Sequence, residues 1–196
     1  EYSDDDSNLT DCDNFGYIIR TWSLSDGNGN DSVATQIIYV EPLPKVTITP
    51  NADTLCNNSL TNFELSSITN PEHPIKFEYE YKPENLDSVS ITINGTQTEL
   101  DNGFIIEDNI ENTSKEVQTI LLIVTPYSVN DAGEKRCEGI KDTSVIIINP
   151  RPEIIVLPSA DTLCYNDGLT FNISSGNGGV QGNWVYDVAV TGGSDL

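Results

Sequence analysis

Basic side chains are scarce in this chain, in which 9 Lys and Arg stand against 31 Asp and Glu and the formal net charge is −22. Nucleic-acid phosphates and anionic membrane surfaces attract Lys and Arg, so this charge argues against either as a partner. No apolar run approaches the roughly 20 residues of a transmembrane helix, which argues against membrane insertion. Methionine is absent and the first residues are acidic, so we interpret the sequence as a mature or internal piece of a longer chain.

Groups that commonly carry catalysis are scarce as well. The one histidine, His73, lies between two prolines in a predicted loop, with no evident Ser or Cys partner for a catalytic triad. The four cysteines form no CxxC pair and no Cys/His cluster, which argues against zinc. A glycosidase carboxylate pair is the enzymatic alternative that so acidic a chain leaves open. We expect a protein that is not an enzyme and has no cofactor, with calcium as the one ion left open.

The apolar residues that are present recur with a period of two, which is typical of β-strands. Residues 77–81 alternate aromatic and Glu side chains, residues 117–124 are apolar on nearly both faces, and no long amphipathic helix pattern occurs. Between residues 44 and 151 the pattern predicts seven strands, near 45–50, 61–67, 75–82, 88–94, 103–107, 117–127 and 142–149. Seven short strands in about 108 residues predict an all-β, immunoglobulin-like β-sandwich.

An internal repeat divides the chain. Residues 44–67 (PKVTITPNADTLCNNSLTNFELSS) align without a gap to 152–175 (PEIIVLPSADTLCYNDGLTFNISS), with 11 of 24 positions identical at a shift of 108. The same shift aligns Thr35 with Thr143 and Pro42 with Pro150. A period of this length fits one small domain.

The repeat boundaries coincide with Pro42-Leu43-Pro44 and Pro150-Arg151-Pro152, and Pro-x-Pro favours a stiff, extended connection. We therefore predict three segments: an N-terminal segment (1–43) that ends a module, a central segment (44–151) that is a complete module, and a C-terminal segment (152–196) that begins the next. The N-terminal segment should hold two strands, near 15–24 and 33–41. The C-terminal segment should hold three, with Trp184 in the place of Phe77.

The central segment resembles the PKD-like, immunoglobulin-type repeats of giant Bacteroidota surface adhesins, including gliding-motility adhesins. The matching features are Cys56 after the first strand, Thr125-Pro126, Cys137-x-Gly139, Val145-x-Ile147 and Pro150-x-Pro152. The N-terminal segment resembles the end of a hyalin-repeat (HYR-like) module through Arg20-Thr21-Trp22, Asp26, Gly29-Asn30 and Gln36-Ile37-Ile38, although Asn28 stands where such modules often carry Cys. These resemblances imply secretion to the cell surface, by the type IX route.

Four cysteines in a chain of this kind suggest disulfides. The simplest pair is Cys56 with Cys137, inside the central segment. In a seven-stranded sandwich, however, these two would lie about a strand length apart, whereas a disulfide needs Cα atoms within about 7 Å. We therefore favour a bond between Cys12 and Cys137 across the segment boundary, with Cys56–Cys137 as the alternative, and expect Cys56 and Cys164 to pair with cysteines of following modules.

Two surface features suggest further sites. Residues 26–31 (DGNGND) place oxygen ligands at alternate positions, so Asp26, Asn28, Asn30 and Asp31 are candidate calcium ligands, although Asn-Gly also favours a plain hairpin turn. Asp followed by a hydroxyl and an aliphatic residue resembles the O-glycosylation sequon of exported Bacteroidota proteins, whereas Asp and Thr are also ordinary turn residues. The candidate glycan acceptors are Thr54, Thr162, Ser32 and Ser88.

We therefore predict a structural spacer in a secreted cell-surface adhesin, supporting adhesion or gliding motility. Its partners would be neighbouring modules of the same chain, with surface polysaccharide or the motility and secretion machinery as further ones. The alternative is an accessory carbohydrate-binding region of a secreted polysaccharide-degrading enzyme, which an exposed aromatic platform would favour. Phe77, Tyr79 and Tyr81 lie on the predicted core face, which argues against that alternative.

Overall fold

The computed structural model of the chain is all-β, as predicted, and describes residues 1–9, 15–69, 73–164, 166–180 and 183–191. A short 3₁₀ turn spans Leu86–Ser88. No helix in these described ranges is long and apolar enough to cross a membrane. The strands are β1 (Tyr2–Asp5), β2 (Gly16–Ser25), β3 (Asp31–Val40), β4 (Thr47–Thr49), β5 (Ala52–Leu55), β6 (Ser59–Leu60), β7 (Phe63–Ser66), β8 (Ile75–Pro83), β9 (Val89–Thr92), β10 (Phe104–Ile106), β11 (Asn109–Asn112), β12 (Gln118–Val129), β13 (Lys135–Glu138), β14 (Asp142–Ile148), β15 (Ile154–Leu157) and β16 (Asn172–Ser175).

Strand β12 organises the central segment. It pairs antiparallel with β8 on one edge and with β14 and β13 on the other, and β5 adds to the far edge of β14 as a parallel strand. Its alternate residues Ile120, Leu122 and Val124 are fully buried. Cover on the inner face explains these alternate apolar residues, whereas Leu121 and Ile123 on the other face are only half-buried.

Two smaller sheets, β10–β7–β4 and β6–β11–β9, supply the other side of the core. Phe63 and Leu65 of β7 are fully buried in the same cluster as Phe77 of β8 and Ile146 of β14. Tyr79 is also buried and Tyr81 packs against the cluster, so the prediction that these aromatic residues face the core is confirmed.

All seven strands predicted for the central segment are present, and four others were missed. The missed strands, β5, β6, β11 and β13, are two to four residues long and mostly polar. So short a strand shows no readable alternation, and its pairing is set by the neighbouring strand instead.

The N-terminal segment is a three-stranded antiparallel sheet in the order β1–β2–β3. Both predicted strands are present, joined by the hairpin at residues 26–30. The additional strand, β1, is acidic and was not predicted. It pairs Tyr2 with Trp22 and Asp4 with Arg20.

The C-terminal segment repeats the start of the central one. Strands β15 and β16 pair Val156 with Ile173, and a shift of 108 maps this pair onto Ile48 and Leu65 of β4 and β7. The third predicted strand, around Trp184, is not formed in the described residues 183–191. In the central segment that strand is β8, which is held by β12, and the described C-terminal segment contains no counterpart of β12.

Candidate functional site

The first joint, Pro42-Leu43-Pro44, is held to the central segment by backbone contacts. The Ile140 N–H donates to the Pro44 carbonyl over 2.8 Å, and a Cβ placed on Gly139 would lie 2.0 Å from the same oxygen. Only glycine permits this approach, because any side chain would meet backbone there. Beside the joint, His73 Nδ1 contacts Glu41 Oε1, and Arg136 Nη1 lies 3.4 Å from His73 Nε2. His73 therefore lies between two charged residues at the joint and has no hydroxyl or thiol partner among its described hydrogen bonds.

The second joint, Pro150-Arg151-Pro152, is held by a side-chain amide and an ion pair. Asn177 Nδ2 donates to the carbonyls of Lys115 and Arg151 over 3.2 and 3.1 Å. Lys115 Nζ lies 2.7 Å from Glu153 Oε1, although both side chains are substantially exposed, which limits the contribution of the pair. The Gly178 N–H also donates to the Lys115 carbonyl over 3.4 Å. Each joint is thus tied to a strand-connecting loop of the central segment.

A cleft of about 620 Å³ opens at the second joint. It combines an indole, a guanidinium, a carboxylate and amides, and the Asn149 Oδ1 atom there is buried without a hydrogen-bond partner among the described residues. Sequence reasoning missed this cleft because its walls come from distant parts of the chain. The lining residues are Cys56, Asn57, Asn58, Glu111, Asn149, Pro150, Arg151, Pro152, Val180 and Trp184.

The described cysteines, Cys56, Cys137 and Cys164, are exposed free thiols. Cys12 lies outside the described residues, so its bond to Cys137 stays a prediction. The alternative bond, Cys56–Cys137, is not present in the structure, and the sheet register explains why. Cys56 follows Leu55, which lies level with Ile148 at the Gln118 end of β12.

Cys137 lies at the opposite end of the same sheet, since its neighbour Glu138 pairs with Tyr127. Nine residues of β12 separate the two levels, a distance of about 30 Å in an extended strand, against the ~7 Å limit for a disulfide. Cys137 is therefore close to the first joint and Cys56 close to the second.

The candidate calcium loop is a hairpin whose amide groups donate hydrogen bonds to the carboxylate of Asp26. Asp26 Oδ1 accepts the N–H groups of Asn28 and Asn30 over 2.7 and 3.1 Å, and Oδ2 accepts Asn30 Nδ2 over 2.6 Å. These hydrogen bonds, led by the one from the Asn30 side chain, lower the pKa of Asp26. Both oxygens of Asp26 thus accept hydrogen bonds from the loop, with Asp31 beginning β3 beside it. Calcium binding by Asp26, Asn28, Asn30 and Asp31 stays a prediction.

The candidate glycan acceptors lie at the surface. Thr54, Thr162 and Ser32 are exposed and Ser88 is half-buried. Asp53 Oδ1 accepts the Thr54 N–H over 2.7 Å, and Asp161 accepts the Thr162 N–H over 2.8 Å. The repeated Asp-Thr thus has the same local geometry in both segments, and glycosylation itself stays a prediction.

A buried polar cluster around Asp108 was not predicted. The Asp108 side chain accepts hydrogen bonds from Tyr79 Oη at 2.6 Å, Tyr81 Oη at 3.0 Å and the Asn94 N–H at 2.6 Å. Burial, followed by hydrogen bonding and proximity to Asp108, raises the pKa of Tyr79 above its usual range. Desolvation is also the largest cause of the raised pKa of Tyr81. Every polar group in this cluster is held inside the central segment, which gives it a structural role.

An aromatic cluster lies on the exposed sheet of the N-terminal segment. The Tyr2 and Trp22 ring centroids are 5.3 Å apart, and the Arg20 guanidinium lies 4.4 Å from the Tyr2 centroid. Asp4 fixes Arg20 through two hydrogen bonds of 2.7 and 2.8 Å, and Trp22 Nε1 donates to Gln36 Oε1 over 3.2 Å. Tyr2 and Trp22 remain 55% and 43% exposed. The cluster is a preorganised aromatic surface.

No protein-family model, no curated protein and no solved structure matches this chain.

Proposed function

We propose that this chain is a spacer region of a secreted cell-surface adhesin, built from tandem immunoglobulin-like, PKD-like modules. The N-terminal segment is the end of an HYR-like module, the central segment is a complete module, and the C-terminal segment begins the next. Its role is to hold a distant binding region away from the cell under tension, in adhesion or gliding motility. The following observations support this proposal.

The repeated strand register is the observation that carries the proposal. All three residue pairs of β4–β7 recur in β15–β16 at a shift of 108. The Lys45 N–H donates to Thr69 Oγ1 over 3.1 Å, and at the same shift the Glu153 N–H donates to Asn177 Oδ1 over 2.7 Å. Segments that repeat both strand pairing and loop contacts are typical of tandem modules.

The central segment is built to resist a pull on its two ends. β5 follows the first joint closely and β14 leads into the second, and the two strands are parallel, with Ala52 level with Val145 and Leu55 level with Ile148. Pulling the ends apart therefore slides β5 along β14 and loads all their hydrogen bonds together. The hydrogen bonds would break one at a time only if the two strands were antiparallel, with the pulled ends side by side.

Force spectroscopy on the chain tethered at both ends tests the proposal. We expect one force peak for the central segment, followed by an extension of about 3.6 Å per released residue. The Val145 and Asn149 N–H groups donate to the carbonyls of Asn51 and Leu55. In the hydrogen-bond pattern of a parallel pair, the Leu55 N–H then donates back to β14. Leu55→Pro removes that donor and should lower the peak force.

Ser90→Pro is the matched control, because it disrupts β9, whose pairing with β11 does not link the two ends. It should leave the peak force nearly unchanged while lowering thermal stability. Extension of the central segment without a force peak, or equal loss of force in both variants, would rule out a tension-bearing role.

A second candidate function is carbohydrate binding, which the Tyr2–Arg20–Trp22 cluster favours. Sugar rings stack on exposed aromatic faces, and the Arg20 and Gln36 side chains lie beside these rings as hydrogen-bonding groups. Titration of soluble polysaccharides, followed by isothermal calorimetry, tests it. Binding should disappear in Trp22→Ala and persist in Trp184→Ala, which removes the other Trp of the chain. No binding by the unchanged chain would exclude this function.

A further inference from the structure

Three edge strands of the central segment have outward backbone groups that are occupied or covered. On β4, the Asp142 carboxylate accepts the Ile48 N–H over 3.0 Å. On β5, the Asp53 carboxylate accepts the Thr54 N–H over 2.7 Å. Part of β8 is covered by residues 97–100, which form backbone hydrogen bonds with it. Native proteins block sheet edges in such ways, because an open edge pairs with other extended strands.

The edge of β9 differs from these three. Among the described residues, β9 pairs with β11 alone. The Ser88 carbonyl bonds to the residue that follows β11, and successive residues of a strand direct their backbone groups to alternate sides, so Ser90 and Thr92 also bond to β11. The backbone groups of Val89 and Ile91 therefore point to the open side, where no described residue bonds to them.

The sequence around β9 also lacks the side chains that commonly protect an edge. Residues 88–94 (SVSITIN) contain no charged residue and no proline, although the chain carries a formal charge of −22. Val89 and Ile91 are half-buried against the core, whereas Ser90 and Thr92 are exposed on the outer face. This uncharged edge is where two copies of so acidic a chain can approach each other with the least repulsion.

We propose that β9 is a self-association site, at which the β9 edges of two copies pair antiparallel about a two-fold axis and join their sheets into one. The axis lies at Ile91, which pairs with Ile91 of the second copy. Val89 then pairs with Ile93 of the second copy, and Ser90 with Thr92. The inference uses only the central segment, so it does not depend on the spacer role.

This register is complementary to itself. Ile93 continues the alternation beyond β9, because the next N–H, that of Asn94, again donates on the β11 side, to Asp108. Val89, Ile91 and Ile93 therefore exchange about six backbone hydrogen bonds across the axis. Their aliphatic side chains meet on the core face and the hydroxyl residues meet on the outer face. Ile93 is 38% exposed and gains cover, as do the half-buried valine and isoleucine, which favours association.

Charge opposes the association and gives it a salt dependence. Asp87 precedes the paired strand and lies opposite Gly95 of the second copy, so no two acids face each other across the axis. Copies that each carry a charge of −22 still repel one another at low ionic strength. The screening length falls from about 30 Å at 0.01 M to about 8 Å at 0.15 M salt, so association should strengthen as salt is added. A two-fold contact uses the same edge of both copies, and growth should stop at the dimer.

Sedimentation velocity on the chain made without glycosylation tests the proposal, since the candidate acceptor Ser88 lies at the start of this edge. We expect a monomer–dimer equilibrium that shifts toward the dimer as protein and salt concentrations rise. Amide hydrogen exchange of Val89 and Ile91 should slow as the dimer forms. A monomer at all concentrations, which would leave the edge to a strand of another protein, or growth beyond two copies would overturn the proposal.

Paired lysines on the outer face test the register. Ser90→Lys combined with Thr92→Lys places lysine opposite lysine across the axis and should weaken the dimer about tenfold. Thr47→Lys combined with Thr49→Lys is the matched control, because it adds the same charge at exposed positions of the blocked β4 edge. Both variants reduce the overall negative charge, so a loss confined to the β9 variant comes from the local contact. Equal effects of the two variants would contradict the proposal.

A mixing experiment completes the test. Ser90→Asp combined with Thr92→Asp should also be monomeric, because like charges again meet across the axis. Mixing this variant with the β9 lysine variant places each lysine opposite an aspartate and should restore a dimer with one chain of each kind. Mixing it with the β4 lysine variant should give no such dimer. Circular dichroism checks that every variant is folded, and folded β9 variants that fail to pair on mixing would rule out this register.

Discussion

The central and C-terminal segments have the same strand register but differ in what covers the strands. Val46 and Phe63 are 8% and 0% exposed, whereas their counterparts Ile154 and Phe171 are 58% and 52% exposed. Pairing of the first strands is therefore set by local sequence, which the two segments share. Burial depends on β8, β12 and β14, which come later in the chain and close the core of the central segment alone.

The largest expected effect is a difference in stability between variants at Phe63 and at Phe171. Phe63→Ala leaves a cavity in a closed core and should lower the free energy of unfolding by about 3–5 kcal/mol. Phe171→Ala removes a half-exposed ring and should cost less than about 1 kcal/mol. Urea unfolding of the chain, followed by far-UV circular dichroism, measures both. Equal losses would show that the C-terminal segment is as well packed as the central one.

A buried and an exposed aspartate provide the next comparison. Asp108→Ala leaves the hydroxyls of Tyr79 and Tyr81 and the Asn94 N–H without their acceptor inside the fold. An unsatisfied buried donor costs about 1–3 kcal/mol, so we expect a loss of about 3 kcal/mol in total. Asp26→Ala breaks as many hydrogen bonds in an exposed loop, where water replaces them, and should have a much smaller effect in the same urea titration.

Sequence reasoning recovered the long strands and missed the contacts between them. The alternation over residues 77–81 was readable because burial of one face leaves a pattern of period two, and β12 was readable as a short continuous run of apolar residues. Asp108 gave no such signal, because an acid in an alternating region ordinarily faces solvent and only the fold brings Tyr79, Tyr81 and Asn94 around it. The cleft at the second joint was unreadable for the same reason, since Asn58, Arg151 and Trp184 are far apart in sequence.

Two glycines sharpen the comparison between the joints. A Cβ at Gly139 would lie 2.0 Å from the Pro44 carbonyl, which is backbone and cannot move aside. Gly139→Ala should therefore cost about 1–3 kcal/mol and loosen the first joint. A Cβ at Gly178 would lie 2.1 Å from Glu116 Oε2, the end of a flexible side chain, so Gly178→Ala should change stability by less than about 0.5 kcal/mol.

Limited proteolysis measures how exposed each joint is in the two glycine variants, and thermal unfolding measures their stability. Cleavage near residues 42–44 should become faster in Gly139→Ala, while cleavage near residues 150–152 should be unchanged in Gly178→Ala. Similar behaviour of the two variants would mean that the first joint is no more tightly packed than the second.

The smallest expected effect is a difference in pH response between the central and N-terminal segments. Burial raises the pKa of Tyr79 and Tyr81, so the folded central segment keeps both phenolic protons where the unfolded chain begins to release them. The two raised pKa values therefore contribute to the free energy of unfolding in full below about pH 10, and this contribution declines as the pH rises further. The hydrogen bond from Arg20 lowers the pKa of Asp4, so its contribution is complete above about pH 4 and is lost as the pH falls. Alkali should therefore weaken the central segment, and acid should separate β1 from β2.

Nuclear magnetic resonance can follow both changes in one sample, with amide exchange of β12 in alkali and of β2 in acid. Replacing Tyr79 and Tyr81 by Phe should remove the alkaline loss, and replacing the exposed Tyr39 by Phe should not. Asp4→Asn should remove the acid response of β2. The two segments would then respond at opposite ends of the pH scale because one holds neutral phenols in its core and the other holds an ion pair on its surface. A single transition shared by both segments would show that they unfold together, and that contacts at the first joint couple their stabilities.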